Sequence, residues 1–153
     1  MDYTQLKTAI ERFSEMLDAY RDNAKRPPLE QEAVQDSLIK WFEYTLEVAC
    51  KICKKHLEEE GFAEAASGSP KSIVRLAAQR NLISNPEAWF NYLQFQQDTS
   101  HDYSSDKAET VLDIAEDFYQ DVVDLYRRRI CRKISKKIRC SLPAAGKNLE
   151  TRH

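Results

Sequence analysis

The sequence predicts an all-α protein: a four-helix up-and-down antiparallel bundle with a short extra helix and a basic C-terminal extension. Three observations support this. The 153 residues include only 3 Gly and 5 Pro, so few positions interrupt a helix. Apolar residues recur every three or four positions, as on one helix face. No segment shows the sustained alternation of apolar and polar residues that is typical of a strand.

The first two helices are predicted from their apolar spacing. The first has the apolar positions Leu6, Ile10, Phe13, Leu17 and Tyr20. Pro27 and Pro28 end it, because proline lacks an amide donor and restricts the preceding residue. A second helix is predicted over about residues 30–60 and ends at Gly61. Its buried stripe is predicted to contain Leu38, Phe42, Thr45, Ala49, Ile52 and His56, widened by Trp41, Leu46, Cys53 and Leu57.

The middle of the chain carries two helix-start signals after a predicted loop at residues 63–69. Ser69 before Pro70 is a cap followed by proline at the first helical position, and a short helix is expected there. At the next start, Ser84 has capping-box spacing, while Asn85 is a competing cap. The following helix carries Trp89, Tyr92, Leu93 and Gln96, and it is expected to weaken at residues 98–100.

The last long helix is predicted to start at residues 104–106. Its apolar stripe comprises Ala108, Val111, Leu112, Ala115, Phe118, Tyr119, Val122, Leu125 and Tyr126. Ile130, Ile134 and Ile138 continue the spacing, so the tail is expected to extend this helix until Pro143. We therefore divide the chain into a bundle at 1–126 and an extension at 127–153, whose end is expected to be disordered.

The net charge of −2 hides an asymmetry between these two parts. Residues 1–126 sum to −11 and residues 127–153 to +9. Such a basic segment attracts phosphates, RNA or an anionic lipid surface, or it folds back on its own acidic body. The basic patch comprises Arg127, Arg128, Arg129, Arg132, Lys133, Lys136, Lys137 and Arg139.

Composition and motifs exclude several classes of protein. No apolar run reaches the roughly 20 residues of a membrane span, and no signal peptide is recognisable, so a cytoplasmic protein with reduced cysteines is expected. Cys50, Cys53 and His56 have a metal-like spacing, but all lie on one predicted helix. Buried small residues explain the cysteines better, and we predict no metal and no cofactor.

One cluster of polar residues is a candidate for chemistry. Thr99, Ser100, His101, Asp102 and Tyr103 lie together between two predicted helices. A histidine beside such groups exchanges protons near neutral pH. The alternative is structural: Ser100 and Asp102 cap helix ends and His101 fills the bundle.

Several segments of the chain resemble, in their sequence order, those of the HEPN-type nucleotidyltransferase substrate-binding proteins. These proteins are helical partners of minimal nucleotidyltransferases. The resemblance covers about residues 3–126. It rests on residues 42–47 with Lys51, Lys54 and 57–59, on residues 69–71 with Arg75, Ala77 and 82–83, on Trp89 and Leu93, on residues 99–103, and on Ala108.

The resemblance implies a four-helix bundle that forms a homodimer and associates with a minimal nucleotidyltransferase, as a heterotetramer or a similar assembly, in some cases within a toxin–antitoxin pair. Some HEPN relatives are metal-independent ribonucleases with an Arg followed, four to six residues later, by a His. His101 then corresponds to the catalytic His, and Tyr103 to the tyrosine to which the partner attaches a nucleotide.

The match to the ribonuclease pattern is incomplete, because Gln96 stands where the Arg is expected. Glutamine is neutral and lacks the charged, bidentate fork of a guanidinium. We therefore expect weak or absent ribonuclease activity, unless arginines of the tail reach the cleft at His101 and Tyr103. We therefore expect a non-catalytic partner subunit that presents the cleft at His101 and Tyr103. A ribonuclease toxin using His101, and a module that binds RNA or membrane through the tail, are the alternatives.

Overall fold

All elements of the computed structural model are helical within the part of the chain that it describes. It describes the backbone of residues 3–101 and 108–134 and the side chains of residues 3–98 and 110–129. The helices are α1 (Thr4–Arg21), α2 (Pro28–Glu59), α3 (Pro70–Gln79), α4 (Pro86–His101) and α5 (Ala108–Ile134). The predicted all-α class is confirmed.

The helix ends follow from local chemistry. Gly61 terminates α2 with φ at 96°, a conformation that glycine adopts without strain. The Ser69 hydroxyl accepts a hydrogen bond from the Ser72 amide at the start of α3, as predicted. At the start of α4 the carboxamide oxygen of Asn85 accepts from the Ala88 amide. Asn85 is therefore the cap, in preference to Ser84.

Three local expectations need correction. The first helix ends at Arg21, before the prolines, and a 3-10 turn at Asn23–Lys25 follows it. Residues predicted as a loop include a second 3-10 turn, Ala63–Ser67, which buries Ala65 against the bundle. The backbone of α4 stays helical through residues 98–100, supported by a hydrogen bond from Gln94 to Asp98 one turn later.

The core is centred on aromatic rings from four helices. Phe42 of α2 lies 4.9 Å from Phe118 of α5 and 5.3 Å from Phe95 of α4, measured between ring centroids. Phe13 of α1 lies 5.7 Å from Phe118. Burial of each such ring stabilises the fold by about 1.5–3 kcal/mol, which makes this cluster the main link between the helices.

The predicted stripes face this core. Four of the five predicted positions of α1 are buried, and Tyr20 is partly buried. On α2 the stripe is buried from Leu38 to Ile52, and His56 is half-buried. Thr45 is buried within it, where its hydroxyl donates a hydrogen bond of 3.3 Å to the Ala9 carbonyl of α1.

Contacts along α2 and α5 fix their relative direction. Phe42 meets Phe118, and further along both helices His56 meets Arg129. The two helices therefore run in the same direction, as the second and fourth helices of an up-and-down bundle do. The complete up-and-down arrangement stays a prediction. In the described ranges, no helix is both long enough and apolar enough to cross a membrane.

Candidate functional site

Of the motif predicted from the sequence, Gln96 is the member whose side chain the structure describes. Its carboxamide is half-buried on α4 and donates a long hydrogen bond of 3.5 Å to the carbonyl of Glu43 on α2. His101 is the last residue of α4, and its backbone continues the helix that carries Gln96. The side chains of Thr99, Ser100 and His101, and all of Asp102 and Tyr103, lie outside the described residues.

Gln96 lies on the wall of a cleft of about 240 Å³, which we call the α2–α4 cleft. The second half of α2, the start of α3 and the middle of α4 form it. Its lining combines apolar, cationic and polar side chains: Leu46, Glu47, Cys50, Lys51, Lys54, Gly68, Pro70, Ile73, Leu93 and Gln96.

The positive charge of this cleft is only partly balanced. The ammonium of Lys51 lies 3.5 Å from the Glu47 carboxylate, and both side chains are more than half exposed. Lys54 is half-buried and makes no ion pair with any other residue in the described ranges. The two lysines are three positions apart on one helix and therefore share a face.

The Gly68 backbone lies against the first turn of α3. A Cβ at this position would come within 2.7 Å of the Ser72 hydroxyl and 3.2 Å of the Ile73 Cδ1. Glycine therefore allows a close approach that any side chain would disturb.

The CxxC pair does not have the environment of reactive thiols. Burial and the nearby Glu47 raise the pKa of the Cys50 thiol to about 12. Burial, reinforced by Cys50, raises the pKa of Cys53 as well, against an opposing effect of Arg129. A raised pKa favours the protonated thiol near neutral pH, and a protonated thiol is a poor nucleophile. Within the described ranges, no group of three or more His, Cys, Asp or Glu side chains could hold a metal ion.

The start of the predicted basic patch needs correction, because Arg129 is not on the surface. Its side chain is buried between α5 and α2, with Nη1 2.9 Å from Nε2 of His56. Arg128 pairs with Asp124 at 3.0 Å. The side chains of Arg132 and Lys133, and all of Lys136, Lys137 and Arg139, lie outside the described residues. Arg129 follows buried Leu125 by one helical turn, a spacing that would have identified it as a core position.

A second concavity, of about 580 Å³, lies between α1 and α2 and is lined by Gln5, Thr8, Lys40, Trp41 and Tyr44. The Trp41 and Tyr44 rings meet edge to face at 5.5 Å, and the Tyr44 hydroxyl accepts a hydrogen bond of 2.9 Å from Gln5. Among the candidate site residues whose side chains the structure describes, none lines this groove.

Comparison with known families adds to this geometry. Residues 1–129 match the model of the family described as nucleotidyltransferase substrate binding protein like. The chain belongs to this family. The matched region includes the α2–α4 cleft, the residues 99–103 and the buried Arg129.

A curated protein and a solved structure, both from Haemophilus influenzae, are similar to this chain. The probable ribonuclease HepT is 28% identical over 95 residues, which are 61% of this chain and 65% of HepT, so the match spans just under two thirds of that relative. The structure is described as the fold of a substrate binding domain of a nucleotidyltransferase. It matches with a TM-score of 0.75 and 23% identity over 83% of this chain and 98% of its own. That likeness establishes the shared fold.

Proposed function

We propose that this member of the family is a non-catalytic subunit that docks a separate minimal nucleotidyltransferase and presents to it the segment from Gln96 to Tyr103. The family match and the shared fold support the association with a nucleotidyltransferase. The observation that carries the non-catalytic role is the neutral amide of Gln96. In the ribonuclease pattern a guanidinium stands at that position and stabilises phosphate charge, which a carboxamide cannot do.

Co-expression with the minimal nucleotidyltransferase of the neighbouring gene tests the docking. We expect the two proteins to co-elute in size-exclusion chromatography, with a mass that fits a homodimer of this chain carrying its partner. His101→Ala and Tyr103→Ala should weaken co-elution, whereas Leu29→Ala, at a position 79% exposed on the first turn of α2, should not. Separate elution of the unmodified proteins would contradict the proposal.

Tyr103 is the proposed nucleotide acceptor in this assembly. Incubation with the partner and ATP should add the mass of one adenylate to the intact chain. The addition should disappear in Tyr103→Phe, which removes the accepting hydroxyl and keeps the ring. An addition that persists in Tyr103→Phe would place the acceptor elsewhere. Such a reaction would fit a toxin–antitoxin pair in which the partner modifies this chain.

The similarity to a probable ribonuclease supports a second candidate, a ribonuclease toxin in which His101 moves the proton. Purified protein would then cleave RNA, and His101→Ala would abolish cleavage. Cleavage that is unchanged in His101→Ala would remove this histidine from the mechanism. Absence of cleavage in the unmodified protein would favour the docking subunit.

A further inference from the structure

We propose that the nucleotidyltransferase docks on the groove between α1 and α2, which we call the α1–α2 groove, and fills it with an apolar side chain flanked by a carboxylate. The groove is lined by Gln5, Thr8, Lys40, Trp41 and Tyr44. This inference rests on the proposed function, because it assigns a docking surface to the partner named there. The contact lies outside the segment from Gln96 to Tyr103.

The groove exposes aromatic surface that the described part of the fold does not cover. Tyr44 is 38% exposed and is, with Leu29, one of two exposed large hydrophobic side chains in the described ranges. The half-buried Trp41 indole meets the Tyr44 ring edge to face at 5.5 Å. The Gln5 amide restrains the same ring through its hydrogen bond of 2.9 Å to the hydroxyl. Restrained Trp and Tyr rings are the side chains that most often carry binding energy at protein interfaces.

The charge of the groove favours an acidic partner. Lys40 is the charged side chain among the described residues that line the groove. It is exposed, and in the described ranges it forms no ion pair. Two copies of this chain docked groove to groove would bring two Lys40 ammoniums together, and the basic extension would add further positive charge. A carboxylate of the nucleotidyltransferase would instead neutralise Lys40 at the rim while an apolar side chain covers the rings.

The groove lies level with the end of α4, where the segment presented to the partner begins. Gln96 of α4 contacts the Glu43 carbonyl of α2. One turn earlier, Leu93 lines the α2–α4 cleft together with Cys50, so α4 runs antiparallel to α2. His101 is five residues beyond Gln96, about 7.5 Å along the helix axis. The end of α4 therefore lies beside the stretch of α2 that lines the groove.

A partner of ordinary footprint covers both places. Tyr44 lines the α1–α2 groove and Glu47 lines the α2–α4 cleft, and these positions are neighbours on the outward face of α2. A helix with its side chains is roughly 10–12 Å wide, and a typical interface buries about 800 Å² of each protein. One continuous patch of that size extends from the groove across α2 to the end of α4. The groove, at about 580 Å³, is large enough to take an anchoring side chain.

Surface plasmon resonance between the purified full chain and the nucleotidyltransferase of the neighbouring gene tests the inference. We expect Tyr44→Ala to weaken binding about tenfold, because it removes the exposed ring of the groove. Lys40→Glu should weaken binding and slow association, because it replaces an attraction by a repulsion. Leu29→Ala is the matched control: Leu29 is more exposed than Tyr44 and does not line the groove, so binding should be unchanged.

Two failures can be told apart. Binding that is unchanged in both Tyr44→Ala and Lys40→Glu, but weakened in Tyr103→Ala, would overturn the groove as the docking surface and leave the proposed function standing. No binding of the unmodified chain would overturn both.

A second copy of this chain as the occupant is tested without the partner. If Tyr44→Ala lowers the mass of the chain alone in analytical ultracentrifugation, the groove is an interface between two copies and the inference is wrong. An unchanged mass, together with weakened binding of the nucleotidyltransferase, supports the inference.

Discussion

The guanidinium of Arg129 on α5 lies 2.9 Å from the imidazole of His56 on α2, with Nη1 facing Nε2. Arg129 is only 3% exposed, although it lies within the most basic segment of the chain. A guanidinium has donors and no acceptor, so it donates wherever it hydrogen-bonds to this ring, and the same Nε2 also lies 3.4 Å from the Glu60 carboxylate. The contact joins the end of α2 to the last third of α5.

We expect Arg129→Ala to lower the free energy of unfolding by about 2–3 kcal/mol, because it removes a buried hydrogen bond and the packing of a long side chain. Arg128→Ala is the matched control. Arg128 is 39% exposed and forms a surface ion pair with Asp124, so its loss should cost less than about 1 kcal/mol. Urea unfolding followed by circular dichroism measures both. Equal losses would contradict the burial of Arg129.

This burial also determines how the basic extension should be tested. A deletion that begins at residue 127 removes Arg129 and its contact with His56, so lost binding would be confounded by lost stability. Substitution of Lys136 and Lys137 changes the charge of the extension and leaves this contact in place.

The features that could be predicted from the sequence depend on interactions between residues that are close together along the chain. Gly61 ends α2 and Ser69 caps α3 because each acts on backbone groups within one turn. The burial of Arg129 was missed because it was grouped by charge with its two neighbouring arginines, although its spacing from Leu125 places it on the core face of α5. The cleft was missed for a different reason: Lys54, Gly68 and Leu93 are distant in the sequence and meet only when α2, α3 and α4 pack.

Phe118 is the ring that links α5 to the other helices. It is fully buried and lies within 6 Å of Phe13, Phe42, Trp89 and Tyr92, measured between ring centroids. Phe118→Ala should cost about 3–5 kcal/mol, because it leaves a cavity among these rings. Leu29→Ala, at an exposed position, should change stability by less than about 0.5 kcal/mol. A small effect of Phe118→Ala in urea unfolding would contradict the central position of this ring.

The fold should become more stable when the negative charge of Asp121 is removed. Burial raises the pKa of its carboxyl, and Asp117 and Asp124 raise it further, against the hydrogen bond that the Tyr92 hydroxyl donates to it. Because the pKa of this carboxyl is higher in the folded chain than in the unfolded chain, protonation of Asp121 stabilises the fold. This stabilisation is fully present below the ordinary pKa of 3.8 and is lost as the pH rises through the folded-state pKa. At pH 7 this contribution is absent.

We therefore expect Asp121→Asn to raise the Tm at pH 7 by about 2 °C, since asparagine stays neutral and its carbonyl still accepts from Tyr92. The gain should shrink as the pH falls through the raised pKa of the native carboxyl. Asp113→Asn, an exposed position on the same helix, provides the control and should leave the Tm at pH 7 nearly unchanged. A lower Tm for Asp121→Asn at pH 7 would mean that the charged hydrogen bond outweighs the cost of burial.

Cys50 should resist alkylation even though it lines the cleft. With its pKa near 12, the thiolate fraction at pH 8 is on the order of one in ten thousand, and the thiolate is the reactive form. In a Cys131→Ser, Cys140→Ser background, intact mass should show little addition of iodoacetamide to the folded chain at pH 8. The same chain in guanidinium chloride should react at both remaining cysteines. Rapid labelling of the folded chain would contradict a partly buried, neutral thiol.

The strongest test of the non-catalytic role is to restore the missing charge. Gln96 lies on the cleft wall on the same helix as His101, so Gln96→Arg would place a guanidinium where the ribonuclease pattern has one. If that charge is the missing element, RNA cleavage by the purified variant should exceed that of the native chain by about 10²–10³. Gln96→Lys should give a smaller gain, because an ammonium lacks the planar, bidentate donor set.

The matched control is His101→Ala in the Gln96→Arg background, which should return cleavage to the native level. Gln96→Met keeps a side-chain volume similar to that of glutamine and introduces no charge, so RNA cleavage should not increase. If Gln96→Arg remains inactive while its unfolding curve matches that of the native chain, the lack of an arginine is not what limits cleavage. The docking proposal would then rest on co-elution with the nucleotidyltransferase alone.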